Sequence, residues 1–270
     1  MRMHFISGLP RSGSTLLASI LRQNPRFTAS IMTPVGRIVT TALTALGPDN
    51  EADSFITDEQ RARVIRGIFS SFYAEQLGGA PERVVFDNNR RWCANASLLG
   101  LLYPGCKIIC CVRAPAAIVD SFERLFKKNP LNLSIIYGSQ ANLTVYERTA
   151  EIMKPGGVVG FALNSFKDAF FSENRSRLLV VNYDDLCRFP ERTMGELHSS
   201  LRLEPFMYDF NRIEPIPGAA EFDRDISTPG LHDLKPKVTY ETRVSVLPPD
   251  IFNNLPSPFW LVKKEATSVG

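Results

Sequence analysis

The residues with the clearest chemical potential lie near the amino terminus, in the stretch SGLPRSGSTLL (residues 7–17). Gly8 and Gly13 have the separation of the phosphate-binding loop GxxxxGK[ST], in which backbone N–H groups surround phosphates and a lysine reaches the outer ones. Ser14 stands at the position of that lysine, and Thr15 follows it. The pattern therefore predicts a P-loop-like anion site whose cation comes from another residue.

Arg11 is the cation that this loop itself provides. Its forked guanidinium can bind two oxygen atoms at once. Pro10, Ser12 and Gly13 flank it, and a helix that begins after Gly13 would direct its N–H groups at the same anion. We predict that the loop binds a phosphate, or a phosphate linked to a sulfonate, without a metal ion. The alternative is a glycine-serine turn with an exposed Arg11.

This loop resembles the 5′-phosphosulfate loop of the sulfotransferase superfamily, and two further segments share the resemblance. In CCVRAPAAIVDSF, Arg113 follows an apolar run and Ser121 comes eight residues later. They are similar to the arginine and serine that bind the donor's 3′-phosphate in this family; a surface arginine at a strand end is the alternative. VVNYDDLCRFPERTM resembles the family segment that places a tyrosine, here Tyr183, near the adenine, although this tyrosine could also only pack in the core.

The resemblance spans about residues 4–200 and looks closest to the branch with tyrosylprotein sulfotransferases and many small bacterial enzymes. It implies an enzyme that moves a sulfuryl group from 3′-phosphoadenosine-5′-phosphosulfate (PAPS) to a hydroxyl or amine, leaving 3′,5′-adenosine bisphosphate (PAP). A sulfuryl group carries less negative charge than a phosphoryl group, so arginine and N–H groups can act where a kinase needs magnesium. Arg11, the N–H groups of residues 12–15 and the hydroxyls of Ser14 and Thr15 are the expected stabilisers.

The transfer also requires a general base that removes a proton from the acceptor. Asp87 ends the apolar run RVVFD, and parallel strands deliver the side chains at their ends to the ligand crevice of an α/β sheet. We therefore expect Asp87 to be the base. A helix cap, or an ion-pair partner of Arg90, Arg91 or Arg11, is the alternative.

The segment TPGLHDLKPKV holds two weaker candidates, His232 and Lys235. Sulfotransferases often close a basic carboxyl-terminal loop over the 3′-phosphate, and the resemblance implies this role for both residues, with an exposed loop as the alternative. The other two histidines are expected to have no chemical role. His4 lies in the first predicted strand, and His198 is expected on the exposed face of a helix.

The elements that must position these residues follow from hydrophobic periodicity. Strands are predicted at 3–7, 83–87, 107–112 and 177–183, and helices after Gly13, over about 58–77 with a Thr57–Gln60 capping box and a stop at Gly78-Gly79, around 93–102, from Pro115, near 140–153 and 158–172, and from Pro190. This alternation predicts a three-layer α/β fold with a central, mainly parallel sheet and helices on both faces. The proline-rich residues from about 204 onward are expected to wrap a single domain of residues 1–270 as loops and short helices.

Composition excludes several classes of protein. A net charge of +3 over 270 residues is low for a nucleic-acid-binding protein. Five cysteines without CxxC spacing argue against a zinc site or a disulfide framework. No segment is long enough to span a membrane, and the first predicted strand leaves no room for a signal peptide. We expect a cytoplasmic enzyme with a small-molecule acceptor and no nucleic-acid or membrane partner, while the oligomeric state stays open.

Two other functions remain open at this point. A P-loop nucleotide kinase or hydrolase is disfavoured by Ser14 at the lysine position and by the lack of a convincing Walker-B-like acidic residue after a strand. A non-catalytic nucleotide-binding protein could keep the fold and lack the base. The acceptor itself is expected to contact the variable segments 28–56 and 127–145 and the carboxyl-terminal tail.

Overall fold

The computed structural model describes residues 2–47, 54–78, 82–132, 134–138 and 143–261. Within them the centre is a five-stranded sheet in the order β2-β3-β1-β4-β5, with every pair of neighbours parallel. The strands are β1 (Arg2–Gly8), β2 (Phe27–Ala29), β3 (Val84–Asn88), β4 (Ile108–Val112) and β5 (Leu178–Asn182). Parallel strands that are buried on both faces have continuous apolar sequences, and most of these strands could therefore be predicted from the sequence.

Helices connect the strands and cover both faces of the sheet, so the predicted α/β fold is confirmed. They are α1 (Ser14–Arg22), α2 (Val35–Ala45), α3 (Asp58–Phe72), α4 (Ala74–Leu77), α5 (Ala96–Leu102), α6 (Pro115–Lys128), α7 (Val145–Met153), α8 (Val158–Phe171), α9 (Tyr183–Arg188), α10 (Pro190–Leu201), α11 (Ala219–Asp225) and α12 (Pro249–Asn254). Because the strands are parallel, their carboxyl ends meet at one edge of the sheet, where ligands bind in folds of this class.

Each face of the sheet has its own core. Successive side chains of a strand point to opposite faces, so neighbouring residues of β1 enter different cores. Ile6 packs on the side of α1 and α10, together with Leu17 and Leu197. Phe5 packs on the opposite side with Phe69 of α3. A third apolar cluster lies among α6, α7 and α8, and Leu247 and Ile251 from the tail join it.

Most predicted elements are present, with shifted ends. The Thr57–Gln60 capping box begins α3 as predicted, but the helix ends at Phe72 and a separate turn, α4, follows it. Residues 140–142 of one predicted helix and Gly79 lie outside the described residues, and α7 begins at Val145. The sequence did not predict β2 or α2. His198 is buried rather than exposed, because its ring nitrogens contact the carbonyl of Glu204 and the hydroxyl of Tyr208.

Candidate functional site

A cavity of about 900 Å³ opens at the carboxyl edge of the sheet. It brings together residues that are far apart in the sequence: the loop after β1, the start of α6, the start of α9 and the segment around residues 231–243. The predicted site residues that line it are Pro10, Arg11, Gly13, Ser14, Thr15, Arg113, Ser121, Tyr183, His232 and Lys235. The site predicted from separate motifs is therefore one continuous space.

Two glycines give the loop after β1 its shape. Gly8 has φ +100°, and a Cβ there would lie 2.2 Å from the carbonyl oxygen of Cys111, so no larger residue fits beside β4. Gly13 has φ +90°, and a Cβ there would lie 2.7 Å from Cδ2 of Tyr183. Between them Arg11 also has a positive φ of 57°, an unusual conformation for a residue with a side chain. Such strain is characteristic of ligand-binding loops.

The hydroxyl of Ser12 has a structural role within this loop. It donates a hydrogen bond of 2.8 Å to the carbonyl of Cys111 in β4 and also contacts the carbonyl of Leu9. Ser12 is buried, and its side chain does not line the cavity. Of the predicted contributions of this residue, only that of its backbone N–H is compatible with the geometry.

The amino terminus of α1 points its free donors at the cavity. The first four N–H groups of a helix have no partner within it and carry a partial positive charge. Gly13 is the residue before α1 and has no side chain that could cap these groups. Ser14 and Thr15, the first residues of α1, line the cavity, and their hydroxyls make no hydrogen bond to the described residues. This arrangement is suited to an anion.

Arg11 connects three parts of the site. Its Nε–H donates to Ser121 Oγ at 3.0 Å, and its Nη1 donates to the carbonyl of Leu231. The loop after β1 is thereby linked to α6 and to the carboxyl-terminal segment. Burial and the positive charge of nearby Arg113 lower the pKa of Arg11. Two crowded guanidinium groups repel each other, and an anion between them would relieve this repulsion.

Arg113 has a buried donor that no protein group among the described residues satisfies. Its guanidinium lies 4.3 Å from the centre of the Tyr183 ring, a cation–π contact that holds it in place. Its Nε is buried and has no hydrogen-bond partner among the described residues, and the same is true of Thr239 Oγ1. Both residues line the cavity. Because a buried donor without a partner is unfavourable, both groups fit a polar ligand such as a phosphate.

Tyr183 forms the wall behind the loop. It is the first residue of α9, whose amino terminus is capped by the side chain of Asn182. Its ring packs against Gly13 on one side and Arg113 on the other. Burial raises the pKa of Tyr183 to about 12, so its hydroxyl stays protonated at neutral pH. The exposed part of the ring can contact a flat apolar group such as a nucleobase.

The carboxyl-terminal segment brings further charged groups. Lys235 Nζ contacts Glu241, which also accepts a hydrogen bond of 2.7 Å from Arg243 Nη2. His232 Nδ1 lies 2.5 Å from Oδ1 of Asp223, and the backbone N–H of His232 donates to Oδ2 of the same carboxylate at 2.8 Å. Sequence reasoning missed Asp223, because the eight residues between it and His232 carry no recognisable spacing.

Asp87 does not reach the cavity, and the expectation that its strand would deliver it there is wrong. β3 continues one residue further than predicted, to Asn88, so Asp87 is not its last residue. Its side chain shares a face with Val85 and points into the core beside α2 and α3. Oδ2 accepts hydrogen bonds from Tyr73 at 2.6 Å and Thr33 at 2.8 Å, and Oδ1 accepts one from Trp92 Nε1 at 2.7 Å. Burial raises the pKa of this carboxyl.

Another part of the cavity lining is apolar or positively charged. Ile31, Met32 and Phe161 contribute apolar side chains, and Arg90 and Arg91 come from the loop that follows β3. Burial and the charge of Arg91 lower the pKa of Arg90. The cavity therefore combines the polar groups around Arg113 with apolar side chains and a second pair of arginines.

Two further properties bear on the chemistry. In the part of the chain that the structure describes, no three histidine, cysteine or acidic side chains are grouped so that they could hold a metal ion. Over the same ranges no helix has the length and apolarity needed to cross a membrane. All five cysteines are buried and form no disulfide.

Comparisons with known proteins give the following matches. A model described as "Sulfotransferase family" matches residues 4–207. The nodulation protein NoeE of Sinorhizobium fredii is 31% identical over 131 residues, which cover 44% of this chain and 30% of NoeE. The chain thus spans less than a third of that relative. The sulfotransferase domain from the curacin biosynthetic pathway is 17% identical, with a TM-score of 0.49 over 76% of this chain and 75% of the domain. Mouse sulfotransferase SULT7A1, solved in complex with PAP, is 17% identical, with a TM-score of 0.44 over 76% of this chain and 61% of the mouse chain.

Proposed function

The chain belongs to the sulfotransferase family, and from this we propose that it transfers a sulfuryl group from PAPS to a hydroxyl or amine of a small-molecule acceptor. The observation that carries the choice of donor is the buried, unpaired Nε of Arg113 in the same cavity as the uncapped amino terminus of α1. Each of these two features can bind one anionic group. PAPS carries two separate anionic groups, a 3′-phosphate and a 5′-phosphosulfate.

Each half of the donor has its own set of residues in this proposal. The loop after β1, with Arg11, Ser14 and Thr15, holds the 5′-phosphosulfate. Arg113 holds the 3′-phosphate, with Lys235 nearby in the carboxyl-terminal segment. Tyr183 contacts the adenine. Ser121 is hydrogen-bonded to Arg11 in the structure, so it couples the two anion sites rather than serving one alone.

The reaction is an in-line displacement at sulfur. The acceptor oxygen or nitrogen forms a bond to sulfur, and the bond from sulfur to the bridging oxygen breaks, with the electron pair leaving on PAP. Arg11 and the N–H groups at the start of α1 stabilise the charge on the non-bridging oxygens and on the leaving phosphate. These donors are fixed by the loop before the substrate arrives, so little reorganisation is needed during the reaction.

The acceptor occupies the part of the cavity that is lined by Arg90, Met32 and Phe161. Of the predicted acceptor segments, 28–56 and 127–145 contribute Ile31, Met32, Ile135 and Ile136 to the lining, while residues 48–53, 133 and 139–142 lie outside the described residues. A cytoplasmic location, with its reducing conditions, suits the five unpaired cysteines.

Transfer of radiolabelled sulfur from PAPS tests this function. The purified chain is incubated with labelled PAPS and a panel of alcohols, phenols and amines, and PAP is titrated in parallel by calorimetry. We expect PAP binding and labelled product with at least one acceptor class. PAP binding without transfer to any acceptor would support the non-catalytic alternative, and magnesium-dependent turnover of ATP would support the kinase alternative.

A further inference from the structure

His232 and Asp223 form a pair that the proposed function does not yet use. Asp223 is 2% exposed, and its two carboxylate oxygens bind the Nδ1 and the backbone N–H of the same histidine. Since an ionised carboxylate only accepts hydrogen bonds, Nδ1 must carry the proton of the neutral ring. The Phe222 ring also packs against the imidazole in a T-shaped contact, with 5.6 Å between ring centres. The ring is therefore fixed in both orientation and tautomer.

This tautomer leaves the second ring nitrogen as a free base. Nε2 of His232 makes no hydrogen bond to any described residue and is not among the buried polar atoms without a partner. His232 lines the cavity. An imidazole whose Nδ1–H is held by a buried carboxylate, and whose Nε2 faces a substrate space, has the arrangement of a general base.

The pair lies next to the reacting end of the loop. The residue before His232 is Leu231, whose carbonyl accepts a hydrogen bond from Nη1 of Arg11. His232 is thus one residue from direct contact with the guanidinium proposed to hold the sulfuryl group. The contact also fixes the backbone of the histidine relative to the loop after β1.

The acidic side chains that line the cavity are engaged with cations. Each has a basic partner: Glu151 with Lys154 at 2.6 Å, Asp233 with Lys128 at 3.7 Å, and Glu241 with Arg243 at 2.7 Å. A carboxylate paired with a cation is a weaker base, because protonation would break the pair. Among the described residues that line the cavity, Nε2 of His232 is therefore the atom best placed to accept a proton.

We infer that His232 is the general base of the transfer and that Asp223 is its positioning residue. This inference rests on the proposed sulfotransferase function and replaces Asp87 in the role of base. Nε2 of His232 takes the proton from the acceptor O–H or N–H as the bond to sulfur forms. The leaving electron pair stays on the phosphate of PAP, and the imidazolium then releases its proton to water. Asp223 stabilises the imidazolium while it exists.

The sharpest test uses His232→Asn. The asparagine amide group can still donate to Asp223 in place of Nδ1, but it has nothing in place of Nε2. With labelled PAPS and an acceptor from the panel that the wild-type protein uses, we expect kcat to fall by about a hundredfold to ten-thousandfold. The KM for PAPS and the Kd for PAP should stay within about threefold of the wild type. His198→Asn is the matched control, since the His198 ring is also held by hydrogen bonds, in this case through both nitrogens, but lies outside the cavity.

Two further variants keep the test decisive. In His232→Ala, added imidazole should restore part of kcat, which a purely structural histidine would not show. Asp223→Asn should lower kcat without changing the Kd for PAP, as expected of a residue that acts through His232. Unchanged kcat in folded His232→Asn would overturn the inference.

A different result would reassign His232 to the donor site. If His232→Asn weakens PAP binding as much as it lowers kcat/KM, the histidine binds the donor phosphate and is not the base. The failure of the proposed function looks different, because the wild type itself would then bind PAP without transferring sulfur to any acceptor. The wild-type measurement therefore separates the two questions.

Discussion

Arg11 and Arg113 place two positive charges in a partly enclosed space, and the ligand that the site accepts follows from this. Burial and repulsion from Arg113 lower the pKa of Arg11, and Arg113 keeps a buried N–H without a partner among the described residues. At the scale of single residues, both features suit an anion whose oxygen atoms reach both guanidinium groups.

Asp87 illustrates the opposite case, a buried acid whose partners are all structural. Its two oxygens accept three hydrogen bonds, from Tyr73, Thr33 and Trp92. In Asp87→Asn the amide group would face at least one of these donors, so one hydrogen bond becomes a clash between donors. We expect the free energy of unfolding to fall by about 2–3 kcal/mol, measured by urea denaturation. Turnover per folded molecule should stay close to the wild type.

One result for Asp87→Asn would contradict this structural role. A variant with wild-type stability and a turnover lowered a hundredfold would make Asp87 the base after all. Tyr73→Phe is a useful comparison, because it removes one donor to the same carboxylate without changing its charge.

At the scale of elements, the shape of the loop after β1 depends on Gly13, which lets α1 begin close to Tyr183. In Gly13→Ala the methyl group would lie 2.7 Å from the Tyr183 ring, at a backbone φ of +90° that alanine rarely adopts. We expect the loop to move away from α9 and the Kd for PAP to rise at least about tenfold, measured by calorimetry.

Gly195→Ala is the matched control for this substitution. Gly195 lies within α10, and a Cβ there meets no atom within 4 Å. Alanine should stabilise this helix by about 0.5–1 kcal/mol and leave PAP binding unchanged. Equal PAP affinities in the two alanine variants would contradict the role given to the loop.

The sequence allowed most of the sheet and the anion loop to be predicted, because both depend on local patterns. Apolar runs identify β1, β3, β4 and β5, and the spacing of Gly8 and Gly13 identifies the turn. β2 has three residues, too few for such a pattern. The direction of the Asp87 side chain was not predicted, because β3 ends one residue later than the sequence pattern indicated. The pairing of Asp223 with His232 was not predicted either, because it depends on how the loop between them folds back.

At the scale of the whole molecule, the central strand links the stability of the fold to pH. His4 is 1% exposed in β1; its Nδ1 accepts a hydrogen bond of 3.1 Å from the Lys107 N–H, and its Nε2 is buried without a partner among the described residues. Burial, with the charges of Arg2 and Lys107, lowers the pKa of His4 from 6.5 to about 4. Between about pH 4 and pH 6.5, His4 therefore binds a proton in the unfolded chain but not in the folded chain.

The free energy of unfolding should consequently fall as the pH drops from about 6.5 towards 4. His4→Asn keeps an acceptor for the Lys107 N–H and removes the titration. Between pH 7 and pH 4.5 we expect the wild type to lose about 2 kcal/mol more than this variant, measured by urea denaturation. Equal losses would mean that His4 binds its proton over the same pH range in the folded and the unfolded protein.

The whole molecule also explains why the site lies where it does. Four of the five strands end beside the cavity, and helices from both faces meet there with the carboxyl-terminal segment. The donor would bind across the ends of β1, β4 and β5, while the acceptor would approach from β3. The proposed function thus depends on the recognition of two separate phosphates by one cavity.

The most direct test compares the Kd values for PAP and AMP, which differ by the 3′-phosphate, in the wild type and in Arg113→Ala. The control is Arg175→Ala, because Arg175 also stacks on an aromatic ring at 4.3 Å but does not line the cavity. We expect the wild type and Arg175→Ala to bind PAP about 10- to 100-fold more tightly than AMP, and Arg113→Ala to lose this preference. Equal affinities for PAP and AMP in the wild type, or a preference that survives in Arg113→Ala, would contradict the account.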